Sequence, residues 1–77
     1  MSKLPSLSGS QAVKCFEKAG YHVVRQRGSH IRLHHQFDKQ KKPLTIPHHK
    51  TLGKGLLRKL LRDAEISVEE FIFLLKQ

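Results

Sequence analysis

Six histidines stand among 77 residues, and their spacing separates those able to act together from those that are not. His30 opens a run to Phe37 in which apolar and polar side chains alternate. In a strand of two-residue period, Ile31, Leu33, His35 and Phe37 share one face, while His30, Arg32, His34 and Gln36 share the other. Gly28-Ser29 just before the run supplies a tight turn with Arg27, so His30 stands at its mouth, where another backbone can approach closely. An exposed imidazole beside a guanidinium can exchange a proton while the cation holds an anionic group. By itself, a histidine that follows a hairpin turn is an ordinary polar residue.

Metal chemistry is the other use for so many imidazoles. His30 and His34 share a face, but four residues of strand put them about 13 Å apart, too far to chelate one ion. His34 and His35 point to opposite faces. His48 and His49 could meet His30 from a loop, yet no cysteine pair or acidic ligand accompanies them, so neither a zinc site nor any other cofactor is expected.

The elements that must position these residues are readable in turn. Ser8 and Gln11 form a capping-box pattern ahead of Ala12, Val13, Phe16 and Ala19, which predicts a helix from Gly9 to Ala19, ended by Gly20. Tyr21 to Gln26 is rich in strand formers, His30 to Phe37 is the second strand, and Leu44-Thr45-Ile46 closed by Pro47 is the third. Asp38 to Lys42 reads as a charged loop. The loop lengths predict an antiparallel meander. His48 to Lys54 reads as a loop without periodic apolar residues. Leu56, Leu57, Leu60, Leu61 and Ala64 then line one side of a helix whose other side carries Lys54, Arg58, Lys59 and Arg62. A last helix begins at Ser67, with Glu70 as its capping partner and Ile66 placed to staple onto Phe71. The predicted fold is α+β, in the order α-β-β-β-α with an extra C-terminal helix. A chain of this length is expected to form one domain over residues 1–77.

Fifteen Lys and Arg against six acids give a formal charge of +9. Eleven of those cations and only one acid, Asp38, lie between His22 and Arg62. Such a middle section suits a polyanion, and nucleic acid is the usual one. A solvated basic face, or a basic helix over Leu56 to Arg62 lying on a membrane, would use the same charges differently. Met1 to Ser10 lacks the apolar centre of a secretory leader, and no stretch is long enough to span a bilayer, so a cytoplasmic protein with no membrane partner is expected. The lone Cys15 falls among the apolar residues of the first helix, as a small buried side chain does.

Two blocks of sequence carry a resemblance. Gly20-Tyr21 through Gly28-Ser29-His30-Ile31-Arg32-Leu33 forms the first. The second runs from Leu44-Thr45-Ile46-Pro47 through His49 and Gly55-Leu56-Leu57-Arg58-Lys59-Leu60-Leu61 to Ala64-Glu65-Ile66. In order and spacing they resemble the HicA (YcfA-like) family of mRNA interferase toxins, over nearly the whole chain after Leu7. Leu56 stands where that family often has threonine, and the loop from His49 to Gly55 is slightly short. The resemblance implies a fold like that of double-stranded-RNA-binding domains and a ribonuclease that arrests translation. It also implies a type II toxin-antitoxin pair with a HicB-type antitoxin as partner. His30 matches the family's active-site histidine, and His49 matches a histidine that commonly follows the proline after the third strand.

RNA carries its own nucleophile, the 2′-hydroxyl. Cutting it needs a base for that proton, a cation for the charge on phosphorus and an acid for the departing 5′-oxygen, and no metal is required. On this reading His30 is the catalytic base, Arg32 with Arg27 or Lys50 holds the phosphate, and His49 is a candidate acid. The reverse assignment, and His30 activating a water, fit the sequence equally. Lys54, Arg58, Lys59 and Arg62 are candidate RNA-binding residues. A non-catalytic RNA-binding module using that helix is the competing reading, and a domain whose cationic face meets an acidic protein is a third.

Overall fold

A computed structural model describes residues 4–77; Met1 to Lys3, the start of the stretch read above for a leader, lie outside the described residues. Helix α1 spans Gly9–Lys18. The Ser8 hydroxyl accepts the Gln11 N–H, and Gln11 Oε1 accepts the Ser8 N–H at 2.9 Å, so the capping box satisfies two N–H groups that the helix leaves unpaired. Gly20 leaves the helix at φ 105°, in the left-handed region that favours glycine. Strands β1 (Tyr21–Arg27), β2 (His30–His35) and β3 (Leu44–Pro47) follow, then α2 (Lys54–Ala64) and α3 (Val68–Leu75). The sheet is antiparallel with order β1-β2-β3. This is the expected α+β meander with its additional C-terminal helix.

All three helices lie over one face of the sheet. Tyr21, Ile31, Leu33, Leu44 and Ile46 point into that layer and meet Ala12 and Phe16 of α1, Leu57, Leu60, Leu61 and Ala64 of α2, and Phe71 of α3. Phe16 stands at the centre, 5.3 Å from the Phe71 ring and edge-on to Tyr21 at 6.0 Å. Each such ring contributes about 2–3 kcal/mol through the surface it removes from water. The α3 helix is held at both ends: the Ser67 hydroxyl accepts the Glu70 N–H at 3.0 Å, and the Lys18 ammonium donates to the carbonyls of Leu74 and Gln77. Among the described residues, no helix is long and apolar enough to cross a membrane.

The fold departs from the sequence reading at the end of the second strand and in the irregular segments. The second strand stops at His35 rather than Phe37, because His35 Nδ1 accepts the backbone N–H groups of both Phe37 and Asp38 and turns the chain away. Phe37 is consequently 82 % exposed instead of packed. Leu4, Leu7 and Leu52 are buried although they belong to no periodic segment; the Leu52 N–H donates to the Leu7 carbonyl at 2.7 Å, which pins the two irregular stretches together.

Cys15 is buried as expected, its thiol directed at the Phe71 carbonyl 3.5 Å away. Burial pushes its pKa up from 9.0 to about 11, against a smaller lowering by Lys18. At pH 8 the thiolate fraction is therefore about 100-fold lower than in the unfolded chain, and alkylation by iodoacetamide followed by mass spectrometry is expected to be slower by at least that factor. The unfolded thiol loses its proton near pH 9 while the folded one keeps it to about 11. Stability from this group is full below pH 9 and falls by roughly 2 kcal/mol as pH rises to 11. Urea titration across that window should show the fall, and Cys15→Ala should lack that part of it.

Candidate functional site

Two backbone features decide which side chains face away from the helices. Gly28 takes φ 56° in the two-residue turn between β1 and β2, and this turn sets Arg27 directly opposite His30. Further along β1, the pairing shifts between Val23 and Arg25, so that Val24 is an extra residue in the ladder. Strict alternation would put Tyr21, Val23, Arg25 and Arg27 on one face. Burying Tyr21 would then draw both arginines toward the core. The bulge changes the phase of the strand, so Tyr21 faces the helices while Arg25 faces out opposite Arg32, and Arg27 opposite His30.

These side chains enclose a hollow of about 170 Å³ on the bare face of the sheet, lined by Arg25, Arg27, His30, Arg32 and Thr45. Arg32 Nη1 donates to Thr45 Oγ1 at 3.1 Å, which aims its guanidinium across β3. Gln26 Nε2 donates to the Gly28 carbonyl at 3.2 Å and stiffens the turn. The His48 N–H donates to the Ser29 carbonyl from the far side, and the Gly9 N–H donates to the His49 carbonyl at 2.9 Å. A Cβ at Gly9 would collide with the Pro47 carbonyl, so only glycine lets α1 sit this close to the end of β3. The turn before His30 is thus tied to β3, and β3 to α1.

His30 itself is exposed, and among the described residues its ring makes no hydrogen bond. No acid lines the hollow. The ion pairs among the described residues are Lys42–Asp63 and Lys59–Asp63, so none of the three arginines is neutralised by a carboxylate. Three guanidiniums in one depression repel each other until an anion enters, and an imidazole stands beside it.

The structure brings Arg27 and Arg32 to His30, together with Arg25, which the sequence reading missed. Its signal was the adjacent pair Val23-Val24 within an otherwise polar strand, because two neighbouring apolar residues mark a change of phase. His49 and Lys50 are exposed in the loop after β3 and do not line the hollow. His48 is turned the other way, its Nε2 2.9 Å from the Ser10 hydroxyl at the start of α1. Lys54, Arg58, Lys59 and Arg62 are exposed on α2, whose other side packs into the core, so the sheet separates them from His30. Lys59 is also paired with Asp63 at 3.2 Å. No group of three or more His, Cys, Asp or Glu side chains able to hold a metal ion occurs among the described residues.

A three-stranded sheet backed by helices, with a bare face carrying arginines and a histidine, defines a small basic α+β domain whose open face concentrates positive charge. Residues 9–66 match the family model described as the HicA toxin of bacterial toxin-antitoxin systems, and the chain belongs to that family. The match takes in α1, the whole sheet with its hollow, and α2, and it ends ahead of α3. No curated protein and no solved structure gives a significant match.

Proposed function

We propose that this toxin is a metal-independent endoribonuclease that blocks translation by cutting mRNA, with His30 as its catalytic residue. The observation that carries the reading is the hollow on the sheet, where three arginines without carboxylate partners surround one exposed imidazole. A phosphodiester of RNA fits those charges. His30 takes the proton of the 2′-hydroxyl, whose oxygen bonds to phosphorus as the bond to the 5′-oxygen breaks. Arg25, Arg27 and Arg32 hold the non-bridging oxygens as their charge grows. The hollow is open to solvent and no second imidazole lines it, so water protonates the departing 5′-oxygen. The products are a 2′,3′-cyclic phosphate and a 5′-hydroxyl. A HicB-type antitoxin would neutralise the toxin by laying an acidic segment over the same face, where charge complementarity speeds association.

Incubation of the purified protein with single-stranded RNA in excess chelator is expected to give fragments with cyclic phosphate ends. The same oligonucleotide made with 2′-deoxyribose should stay intact. Equal cutting of the deoxy strand would remove the 2′-hydroxyl from the mechanism and favour a water nucleophile. Binding without cutting would point instead to a non-catalytic module, for which the exposed Lys54, Arg58 and Arg62 of α2 already offer phosphate contacts.

A further inference from the structure

The cations of the bare face continue beyond the hollow. Along β2 the outward residues are His30, Arg32 and His34, each two positions from the last and therefore about 6.6 Å apart. Their partners on β1 are Arg27, Arg25 and His22. The face thus carries three rows of paired cationic or imidazole side chains at a spacing comparable to that of successive phosphates along an unstacked single strand. At the far end of these rows lies a larger hollow of about 440 Å³, which His22, His34, Lys39 and Pro43 help to line.

The chemistry of this second hollow favours a nucleotide. Its remaining titratable groups are His35, Asp38 and Lys41, each of which already makes a hydrogen bond, and the two lysines of the lining outweigh its one carboxylate. His35 Nδ1 accepts two backbone N–H groups, Asp38 accepts the Gln40 N–H, and the Lys41 ammonium donates to the Ala64 carbonyl at 2.8 Å. Lys39, His34 and His22 remain. His22 lines the hollow, and its Nδ1 is enclosed without a hydrogen-bond partner among the described residues. An ammonium for a phosphate and imidazole faces for a base are what a single-stranded nucleotide requires, and the volume admits one.

We propose that the open face of the sheet is a track for single-stranded RNA. The cut lies at His30, and a nucleotide two phosphates away is held between His22, His34 and Lys39. The proposal rests on the ribonuclease reading and adds to it a substrate of minimum length and one strand.

Fluorescence anisotropy with 2′-O-methyl RNA, which lacks the attacking hydroxyl, tests the track apart from the chemistry. Wild type is expected to bind a single-stranded octamer about tenfold tighter than a dinucleotide. In the double variant His34→Gln/Lys39→Gln, both positions being exposed, that ratio should fall toward one. Lys14→Gln, which removes a charge from the helical side, should keep it. Circular dichroism confirms that the variants are folded. A ratio unchanged in the double variant overturns the track while leaving the ribonuclease intact. So does an eight-base-pair duplex that binds as tightly as the single strand. Cleavage of RNA by the wild type in a parallel assay shows which of the two proposals has failed, and wild type that binds no RNA at all sinks both.

Discussion

Replacing His30 by alanine is expected to slow RNA cleavage by about 10²–10⁴-fold, the usual contribution of a positioned proton-transfer group. The size of the effect follows from the site having no substitute: the hollow holds one imidazole, and His48 is turned toward Ser10 on the helical side. The side chain is exposed and makes no hydrogen bond among the described residues, so the thermal midpoint should stay within a degree or two of wild type. Arg25, Arg27 and Arg32 are untouched, so RNA affinity should fall by no more than a few-fold. This split between rate and binding distinguishes a catalytic group from a phosphate contact. A folded variant that cuts within a few-fold of wild type would show that His30 does not carry the proton. One that loses binding and rate together would make it part of the electrostatic surface.

The largest effect on stability is expected from Phe71→Ala, at a position beyond the segment that matches the family. Phe71 is 0 % exposed and its ring lies 5.3 Å from that of Phe16. Its carbonyl receives the Cys15 thiol. Truncating a fully buried phenylalanine costs about 3–5 kcal/mol, from lost burial and from the cavity left behind. A domain of this size has a total stability of roughly 4–11 kcal/mol, so the variant should be partly unfolded at 37 °C. Its thermal midpoint should drop by at least about 12 °C, read by circular dichroism. A loss under 1 kcal/mol would mean that α3 is an appendage to the core. The expected loss makes it one of the core's walls, with Lys18 fastening its C-terminal end to α1.

Much of the architecture was legible in the chain because it is written in local terms. Ser8 with Gln11, Gly20, Gly28-Ser29 and Ser67 each act on neighbours within a few residues, and each does in the structure what its chemistry predicts. The alternation of Ile31 and Leu33 with His30 and Arg32 likewise placed the candidate histidine on the bare face. What escaped depends on contacts between distant segments. Leu4, Leu7 and Leu52 are buried by one another and by the helices, and nothing in their spacing shows it. Phe37 follows the strand pattern, and only the two hydrogen bonds accepted by His35 end the strand before it. Arg25 was hidden by the bulge. His48 and His49 are neighbours in a loop without periodicity, so only the fold could show that His48 reaches back to Ser10 and that His49 stays outside the hollow.

The bulge at Val24 has a second consequence, for how the molecule keeps apart from its own copies. β1 is an edge of the sheet, and Val23 and Val24 are both about two-fifths exposed on it. A flat apolar edge of that kind is a template on which another chain could add a strand and begin to aggregate. An extra residue in the ladder increases the local twist and breaks the regular row of outward N–H and C=O groups. The arginines that follow add like-charge repulsion to any second copy that approaches. The irregularity that turns Arg25 and Arg27 outward therefore also keeps this edge from templating a fibril.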